Sequence, residues 1–230
     1  ANRIFNFSGI EDIKGLLNLS TDFIAVQDAQ SKNMVLKKCN GNVNFEDVAF
    51  KLNEDKRLFE RINGKIEFTK RDLRVHKFGL AVNDTDMSIR GSLENVFNYI
   101  YNNEDLSFKL SVSGEEIYLT DLGSTTKEQK IEQNIYALPD NLKGTLKLRV
   151  GKLNYEKHNF DDVVGDMSIS GRDLNFRYLS LKNAGERIEG SLRIKEELPE
   201  KFEFSTIANA SDVDIKSAFK EWNNFYQDIL

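Results

Sequence analysis

The chain has 230 residues, a formal net charge of −5 and 40% hydrophobic residues, a composition within the range of soluble globular domains. Acidic and basic residues are mixed along it, without the Lys/Arg block that would indicate nucleic-acid binding. The longest apolar runs are only a few residues, which is too short to span a bilayer as a helix. Phe is common, at 16 residues, and Pro is rare, at 2, which favours strands rich in Phe, Ile, Leu and Val.

The first segment, residues 1–38, is predicted to consist of strands that continue an upstream unit. The chain opens Ala-Asn-Arg without Met, has no visible signal peptide and ends Asp-Ile-Leu with no stop signal. We therefore expect it to be a piece of a longer protein, whose targeting or membrane segments would lie outside this sequence.

Residues 39–122 are predicted to form a first β-repeat of antiparallel strands. Ile66 and Phe68 alternate with Lys65 and Glu67, so the apolar side chains face one side of the sheet and the charges face the other. The same alternation recurs in this segment at Leu73 and Val75, and at Leu106, Phe108, Leu110 and Val112. Buried parallel strands would be continuously apolar, so the pattern indicates antiparallel meanders.

A polar linker is predicted at residues 123–138, and a second β-repeat with a C-terminal helix at 139–230. The linker is mostly Ser, Thr, Lys, Glu and Gln and has no apolar period. The second repeat alternates at Leu146, Leu148, Val150, Met167, Ile169, Leu174, Phe176, Phe202 and Phe204. Helix is scarce: a short one is expected from Leu93 to Tyr101, and a longer one from near Ser211 or Asp214 to Tyr226.

The two repeats are interpreted as a tandem duplication. The strands that begin at Gly64 and Gly165 are each followed by Arg-Asp-Leu, at an offset of 101 (165 minus 64). Ile89-Arg-Gly-Ser-Leu93 matches Ile188-Glu-Gly-Ser-Leu192 at an offset of 99 (188 minus 89), so the second repeat is predicted to be two residues shorter in between. Turns are predicted at Asn40-Gly41, Asn63-Gly64, Lys70-Arg-Asp72, Gly91-Ser92, Ser170-Gly-Arg-Asp173 and Gly190-Ser191.

The sequence contains no residue pattern typical of a catalytic or metal centre. It has no Gly-rich phosphate loop, His-Glu helical zinc motif, nucleophile elbow or Cys-x-x-Cys pair. Cys39, the only cysteine, is expected to be a half-buried strand residue, His76 to lie on the polar face and His158 in a hairpin turn. The adjacent carboxylates Glu115 and Glu116 point to opposite faces of a strand and do not converge on one substrate atom. We predict a protein that is not an enzyme and has no cofactor or metal.

Two further features are given structural interpretations. In the repeated turns Arg71-Asp72 and Arg172-Asp173, we expect Asp to accept backbone hydrogen bonds while Arg lies over the polar face. Trp222 and its helix are expected to cover an open end of the apolar face, with binding of a partner as the alternative.

The spacings within residues 39–228 resemble the C-terminal region of AsmA-like proteins. The resemblance is carried by Gly144-Thr-Leu-Lys-Leu, Leu153-x-Tyr155, Phe160-Asp-Asp-Val163, Gly165-Asp-Met-Ser-Ile169, Leu174, Leu179-x-Leu181, Ile188-x-Gly-Ser-Leu192 and the close Ala208-Asn-Ala-Ser-Asp-Val-Asp-Ile215. These motifs consist mostly of Gly, Asp and apolar positions.

The resemblance implies a mainly β protein whose repeated sheets curl into a groove with an apolar lining, as in the related TamB and chorein-type bridge-like lipid transfer proteins. It implies a large envelope protein, anchored in the inner membrane by an N-terminal helix and projecting into the periplasm. Such a protein would bind or conduct phospholipid for outer-membrane maintenance, with envelope proteins or membranes as its partners. The family has no catalytic residues to carry over. The candidates for lipid contact are Ile66, Phe68, Leu73, Val75, Met167, Ile169, Leu174 and Phe176.

The residues themselves leave three functions open. The apolar face could contact acyl chains in an open groove, or it could be a closed core in a passive structural or assembly scaffold of the envelope. A glycan- or surface-binding module is disfavoured, because exposed aromatic residues do not cluster in the turns. An open groove favours the first function, and a sealed core with an exposed edge strand favours the second.

Overall fold

The computed structural model describes residues 10–27, 30, 34–52, 57–122, 139–155, 157–183, 186–198 and 201–211. These residues form eleven strands and two short helices. The first six strands are β1 (Ile10–Gln27), β2 (Met34–Leu52), β3 (Leu58–Thr69), β4 (Asp72–Val82), β5 (Thr85–Glu94) and β6 (Leu106–Tyr118). The other five are β7 (Leu142–Tyr155), β8 (His158–Ser170), β9 (Asp173–Asn183), β10 (Glu186–Leu198) and β11 (Lys201–Ser211). Helix α1 (Val96–Asn102) lies between β5 and β6, and α2 (Leu119–Leu122) follows β6.

All eleven strands belong to one curled sheet that does not close on itself, and their order in the sheet is their order in the chain. Neighbouring strands are antiparallel, as the alternating sequence predicted, except for β6 and β7, which run parallel. Strands β6 and β7 therefore both begin at the same end of the sheet. The predicted mainly β fold with few helices is confirmed.

The predicted turns divide into two groups. The two Arg-Asp turns are confirmed, because Lys70–Asp72 joins β3 to β4 and Ser170–Asp173 joins β8 to β9. The other four predictions are wrong: Asn40-Gly41, Asn63-Gly64, Gly91-Ser92 and Gly190-Ser191 lie inside strands β2, β3, β5 and β10. Glycine in these places has a function other than reversing the chain.

Close backbone approach explains the glycine at position 91. Its φ is +142°, and an added Cβ would lie 2.0 Å from the carbonyl oxygen of Lys109 on the next strand. Only glycine adopts that backbone angle readily and leaves room for the neighbouring strand. Gly41 is also crowded by a neighbouring strand, because an added Cβ would lie 2.2 Å from the carbonyl oxygen of Ser20 on β1, and 2.9 Å from the Cζ atom of the Phe68 ring on β3, the strand on the other side.

Matching irregularities occur at corresponding places in the two sets of five strands, β2–β6 and β7–β11. Arg61 in β3 and Asp162 in β8 both have a φ of +51°, and both lie where the register with the following strand shifts. A second shift in the pairing register follows directly after Lys65 in β3 and after Asp166 in β8. Each pair of positions is separated by 101 residues (162 minus 61, 166 minus 65), the offset of the Arg-Asp-Leu motifs. The assignment of domain boundaries to two repeats stays an interpretation.

The prediction that the second repeat is two residues shorter is wrong. Two residues separate β4 (ending at Val82) from β5 (starting at Thr85), and two separate β9 (ending at Asn183) from β10 (starting at Glu186). Leu73 of β4 pairs with Leu93 of β5, and Leu174 of β9 pairs with Ile194 of β10. The offset of 101 therefore persists into β5 and β10. The sequence match at an offset of 99 is an alignment displaced by two residues from the structural equivalence. A displacement of two keeps every side chain on the same face of the sheet, so the apolar pattern still matches.

The helix predicted at Leu93–Tyr101 is present as α1. Asn95 precedes it and Asn103 follows it, both in the left-handed conformation. The rings of Phe97 and Phe68 are in edge-to-face contact, with their centroids 6.3 Å apart. The predicted linker at 123–138 and the predicted C-terminal helix with Trp222 lie outside the described residues.

The most buried cluster lies where the two sets of strands meet. Val150 on β7 and Val163 on β8 are paired, each 1% exposed, and pack with Met87 of β5 and Ile117 of β6. Partly buried neighbours complete the cluster: Leu80, Ile89, Leu148, Leu153, Phe160, Leu179 and Leu181. Beside the cluster, the buried hydroxyl of Thr85 accepts a hydrogen bond from the backbone N–H of Tyr118 at 2.8 Å. Packing of this cluster thus stabilises the parallel β6–β7 junction, and the Thr85 hydrogen bond holds the end of β6 to β5.

Candidate functional site: the apolar face of the sheet

One face of the sheet carries cross-strand rows of apolar residues, and we call it the apolar face. The first row runs from β2 to β10 through directly paired positions: Val43, Ile66, Val75, Gly91, Leu110, Leu146, Met167, Phe176 and Leu192. The second row runs from β2 to β11: Gly41, Phe68, Leu73, Leu93, Phe108, Gly144, Ile169, Leu174, Ile194 and Phe204. No charged residue interrupts either row.

The eight predicted contact residues all lie in these two rows. They form four direct cross-strand pairs: Ile66 with Val75, Phe68 with Leu73, Met167 with Phe176, and Ile169 with Leu174. Val75 and Ile169 are buried, at 8% and 7% exposed, and the other six are half-buried. The structure thus places the two groups, separated by about a hundred residues in sequence, in the same rows of one sheet.

The strands between the two groups complete the rows, and sequence reasoning did not select their residues as contact sites. Leu110 and Leu146 connect Gly91 to Met167, and Phe108 lies over Gly144. The phenyl Cγ of Phe108 would be 2.5 Å from a Cβ added to Gly144. Their alternation was visible in the sequence, but their place in the row depends on the parallel β6–β7 register.

The cover over the apolar face is small in the part of the chain that the structure describes. All strands there belong to the single sheet, so none of them forms a second layer. Helix α1 contacts β2 and β6, and α2 contacts β7. The Phe68–Phe97 contact places α1 over one end of the second row.

The two edge strands expose large apolar side chains. Leu17 and Leu19 of β1, paired with Phe45 and Val43, are 53% and 48% exposed. At the other edge, Phe204 of β11 is 65% exposed. An edge strand has a neighbour on one side only, so its side chains are covered less than those of the interior rows.

The opposite face carries charges arranged as ion pairs, both within a strand and between neighbouring strands. The Nζ of Lys65 lies 2.7 Å from Glu67, and Nε2 of His76 lies 2.8 Å from the other oxygen of that carboxylate. Hydrogen bonds from Lys65 and then His76 lower the pKa of Glu67 to about 2. On β8, Asp162 pairs with Lys182 at 2.6 Å, and this hydrogen bond lowers the pKa of the Asp162 carboxyl. The two faces therefore differ in chemistry, as the alternation predicted.

The residues considered for chemistry occupy structural positions. Cys39 lies in β2 and is more deeply buried than predicted, at 3% exposed, and burial raises the pKa of its thiol. His158 is the first residue of β8 and not a turn residue. Its ring is stacked on that of Phe160, with the two ring centroids 6.4 Å apart. His76 is exposed on the polar face. The described residues contain no group of three or more His, Cys, Asp or Glu side chains placed to hold a metal ion.

The Arg-Asp turns are stabilised differently from the prediction. The Thr69 hydroxyl, and not Asp72, accepts the backbone N–H groups of Arg71 and Asp72, at 3.3 and 3.0 Å. In the second turn, Arg172 binds Asp140 through two nitrogens, at 2.6 and 3.1 Å. The side chain of Asp173 pairs with Arg193. The repeated Asp thus supplies no backbone cap in either turn among the described residues.

Comparison of the chain with protein-family models, with curated proteins and with solved structures gave no match in any of the three. Within the described ranges, no helix has the length and hydropathy needed to cross a membrane.

Proposed function

We propose that this chain is a segment of an AsmA-like envelope protein that binds or conducts phospholipid along its apolar face. The observation that carries the proposal is the pair of uninterrupted, half-exposed apolar rows, over which the described residues place no second layer. Water contact with such a face costs about 25 cal/mol per Å² of apolar surface, so an apolar occupant would be stabilised there.

The dimensions of the face suit an acyl chain. Eight and nine strand spacings of about 4.8 Å give the two rows lengths of about 38 and 43 Å along the sheet, longer than the hydrocarbon core of a bilayer, about 30 Å. Contact with a Phe or Leu side chain contributes roughly 1.5–3 kcal/mol when it is fully buried. Several half-buried residues in a row would hold a lipid tail without a specific polar contact.

The location follows from the same proposal. A protein of this kind acts between the two membranes, so we place the segment in the periplasm, with the full-length protein anchored to the inner membrane. Membranes and envelope proteins are the proposed partners. The segment needs no catalytic group, because lipid movement along an apolar surface breaks no covalent bond.

A passive structural or assembly scaffold is the second candidate. It is favoured by the exposed apolar side chains on the edge strands β1 and β11, since an open edge is a site for pairing with another strand. In that case the edges contact protein and the interior rows contact no lipid.

Photo-crosslinking in the full-length protein in cells separates the two candidates. A benzophenone amino acid is placed at Phe68, Leu73, Leu174 or Phe176 on the apolar face, and at Lys65 or Glu67 as controls on the charged face. Lipid adducts at the apolar positions alone support the proposal. Equal labelling of both faces, or adducts with protein only, would leave the scaffold as the function.

A further inference from the structure

A cavity of about 540 Å³ opens on the charged face of the sheet, over strands β5 to β9. Three basic residues line it: Arg90 on β5, and Lys147 and Arg149 on β7. The cavity has no part in the apolar rows that we assign to lipid tails. It spans the parallel β6–β7 junction, where the two sets of strands meet.

The pairing register places the basic side chains around short ones. Arg90 pairs with Ser111, which pairs in turn with Lys147, so the two cations flank a serine in one cross-strand row. Ser113 pairs with Arg149 in the next row of this face. Neighbouring strands are about 4.8 Å apart, and the long basic side chains can therefore converge above the serines. The short serine side chains leave the space that forms the cavity.

The charges in the cavity are unbalanced. Arg90, Lys147 and Arg149 form no ion pair with any residue that the structure describes. The one carboxylate among the lining residues is that of Asp166, and it is held by Arg177 at 2.7 Å. The result is a concentration of positive charge in a chain whose net charge is −5.

We propose that this cavity binds a phosphate group. Guanidinium groups match phosphate oxygens with two parallel hydrogen bonds, and an ammonium adds a point charge from another side. Two serine hydroxyls supply further donors. The cavity is larger than a bare phosphate ion, so it has room for a phosphate that is part of a larger molecule. The source is either the headgroup of an anionic phospholipid or a soluble phosphate compound.

The test compares a cavity variant with a charge-matched control. The cavity variant is Arg90→Gln, Lys147→Gln and Arg149→Gln. The control is Lys37→Gln, Arg74→Gln and Lys77→Gln, which removes three exposed positive charges from β2 and β4. Both variants have the same net charge, so a general loss of attraction for anions affects them equally. Circular dichroism establishes that each one is folded.

Pyrophosphate is titrated into the protein while amide resonances are followed by NMR. We expect saturable shifts at Ser111 and at the basic residues of the cavity. Each lost charged contact lowers the affinity about tenfold, so saturable binding disappears in the cavity variant and persists in the control. Equal weakening of the two variants, or the absence of saturable shifts in the unmodified protein, would refute the site.

Vesicles identify the source of the phosphate. Co-sedimentation is measured with phosphatidylcholine vesicles and with vesicles of equal parts phosphatidylcholine and phosphatidylglycerol. Binding to the anionic vesicles that depends on the three cavity residues assigns the site to a headgroup. Saturable pyrophosphate binding without vesicle binding assigns it to a soluble phosphate compound. Either result is independent of crosslinking on the apolar face, so the site and the proposed lipid path succeed or fail separately.

Discussion

Replacing Gly91 with Ala places a Cβ atom 2.0 Å from the Lys109 carbonyl oxygen, at a backbone φ of +142°. A residue with a side chain at such an angle costs about 1–3 kcal/mol. Relieving the overlap requires β5 and β6 to separate locally, which costs a further 1–3 kcal/mol or so, as for other overpacked sites. We therefore expect the free energy of unfolding to fall by roughly 2–6 kcal/mol, a large part of the 5–15 kcal/mol typical of a domain.

Gly79→Ala is the matched control. Gly79 also lies inside a strand, β4, but its φ is not in the left-handed region and the nearest atom to an added Cβ is 3.9 Å away. Its substitution should change the stability by less than about 1 kcal/mol, with stabilisation from the reduced freedom of the unfolded chain. Both variants are measured by urea unfolding followed by circular dichroism. Equal stabilities of the two variants would refute the close-approach explanation of Gly91.

Val150→Ala removes two carbon atoms from a residue that is 1% exposed, and should lower the free energy of unfolding by about 2 kcal/mol in urea titrations; a loss under about 0.5 kcal/mol would contradict the assignment of the core. The pKa of Glu67 is lowered from 4.5 to about 2 in the folded chain, so its stabilising contribution is present above pH 4.5 and is lost as the pH falls toward 2. Glu67→Gln should therefore flatten the decline of the urea midpoint over that range relative to the unmodified protein; identical pH profiles of the two would exclude the ion pair as a cause. Phe204 is 65% exposed on the apolar face, so Phe204→Asp should alter the free energy of unfolding by no more than about 0.5 kcal/mol. The same change should reduce lipid crosslinking from a probe at Ile194, its cross-strand neighbour. Unchanged crosslinking would argue against lipid at that edge.

The local geometry of the strands was predictable from the sequence because it depends on neighbours along the chain. Alternation at Ile66 and Phe68, or at Met167 and Ile169, determines which side chains share a face. The same pattern could not distinguish a match at an offset of 99 from one at 101, since a slip of two residues leaves the faces unchanged. Backbone pairing, which the sequence does not display, resolves the difference.

The errors in the turn predictions have a common physical cause. Asn-Gly and Gly-Ser pairs are typical of tight turns, but glycine is also selected where a neighbouring strand or ring leaves no space for a side chain. Gly41 and Gly91 belong to that second class. Nothing within a few residues of a glycine reveals which cause applies, because the obstructing atoms of Ser20 and Lys109 come from another strand.

The parallel junction between β6 and β7 was the least predictable part of the fold. Both strands alternate in polarity as antiparallel strands do, yet they pair in parallel. This junction places Leu110 beside Leu146 on one face and Ser111 beside Lys147 on the other. Both the continuity of the apolar rows and the basic cavity thus depend on a contact that the local pattern does not specify.

The interior rows, and not the edges, decide between a lipid path and a scaffold. Phe204 would be covered equally well by a lipid tail or by an apolar side chain of another strand, because an edge is open to both. Met167 and Phe176 have paired strands on either side, so a strand that adds to the edge does not reach them. An occupant of the interior rows must lie on the face itself. Contact with lipid at Met167 and Phe176 therefore supports a path along the sheet, whereas contact confined to Phe204 is what a scaffold with an open edge would give.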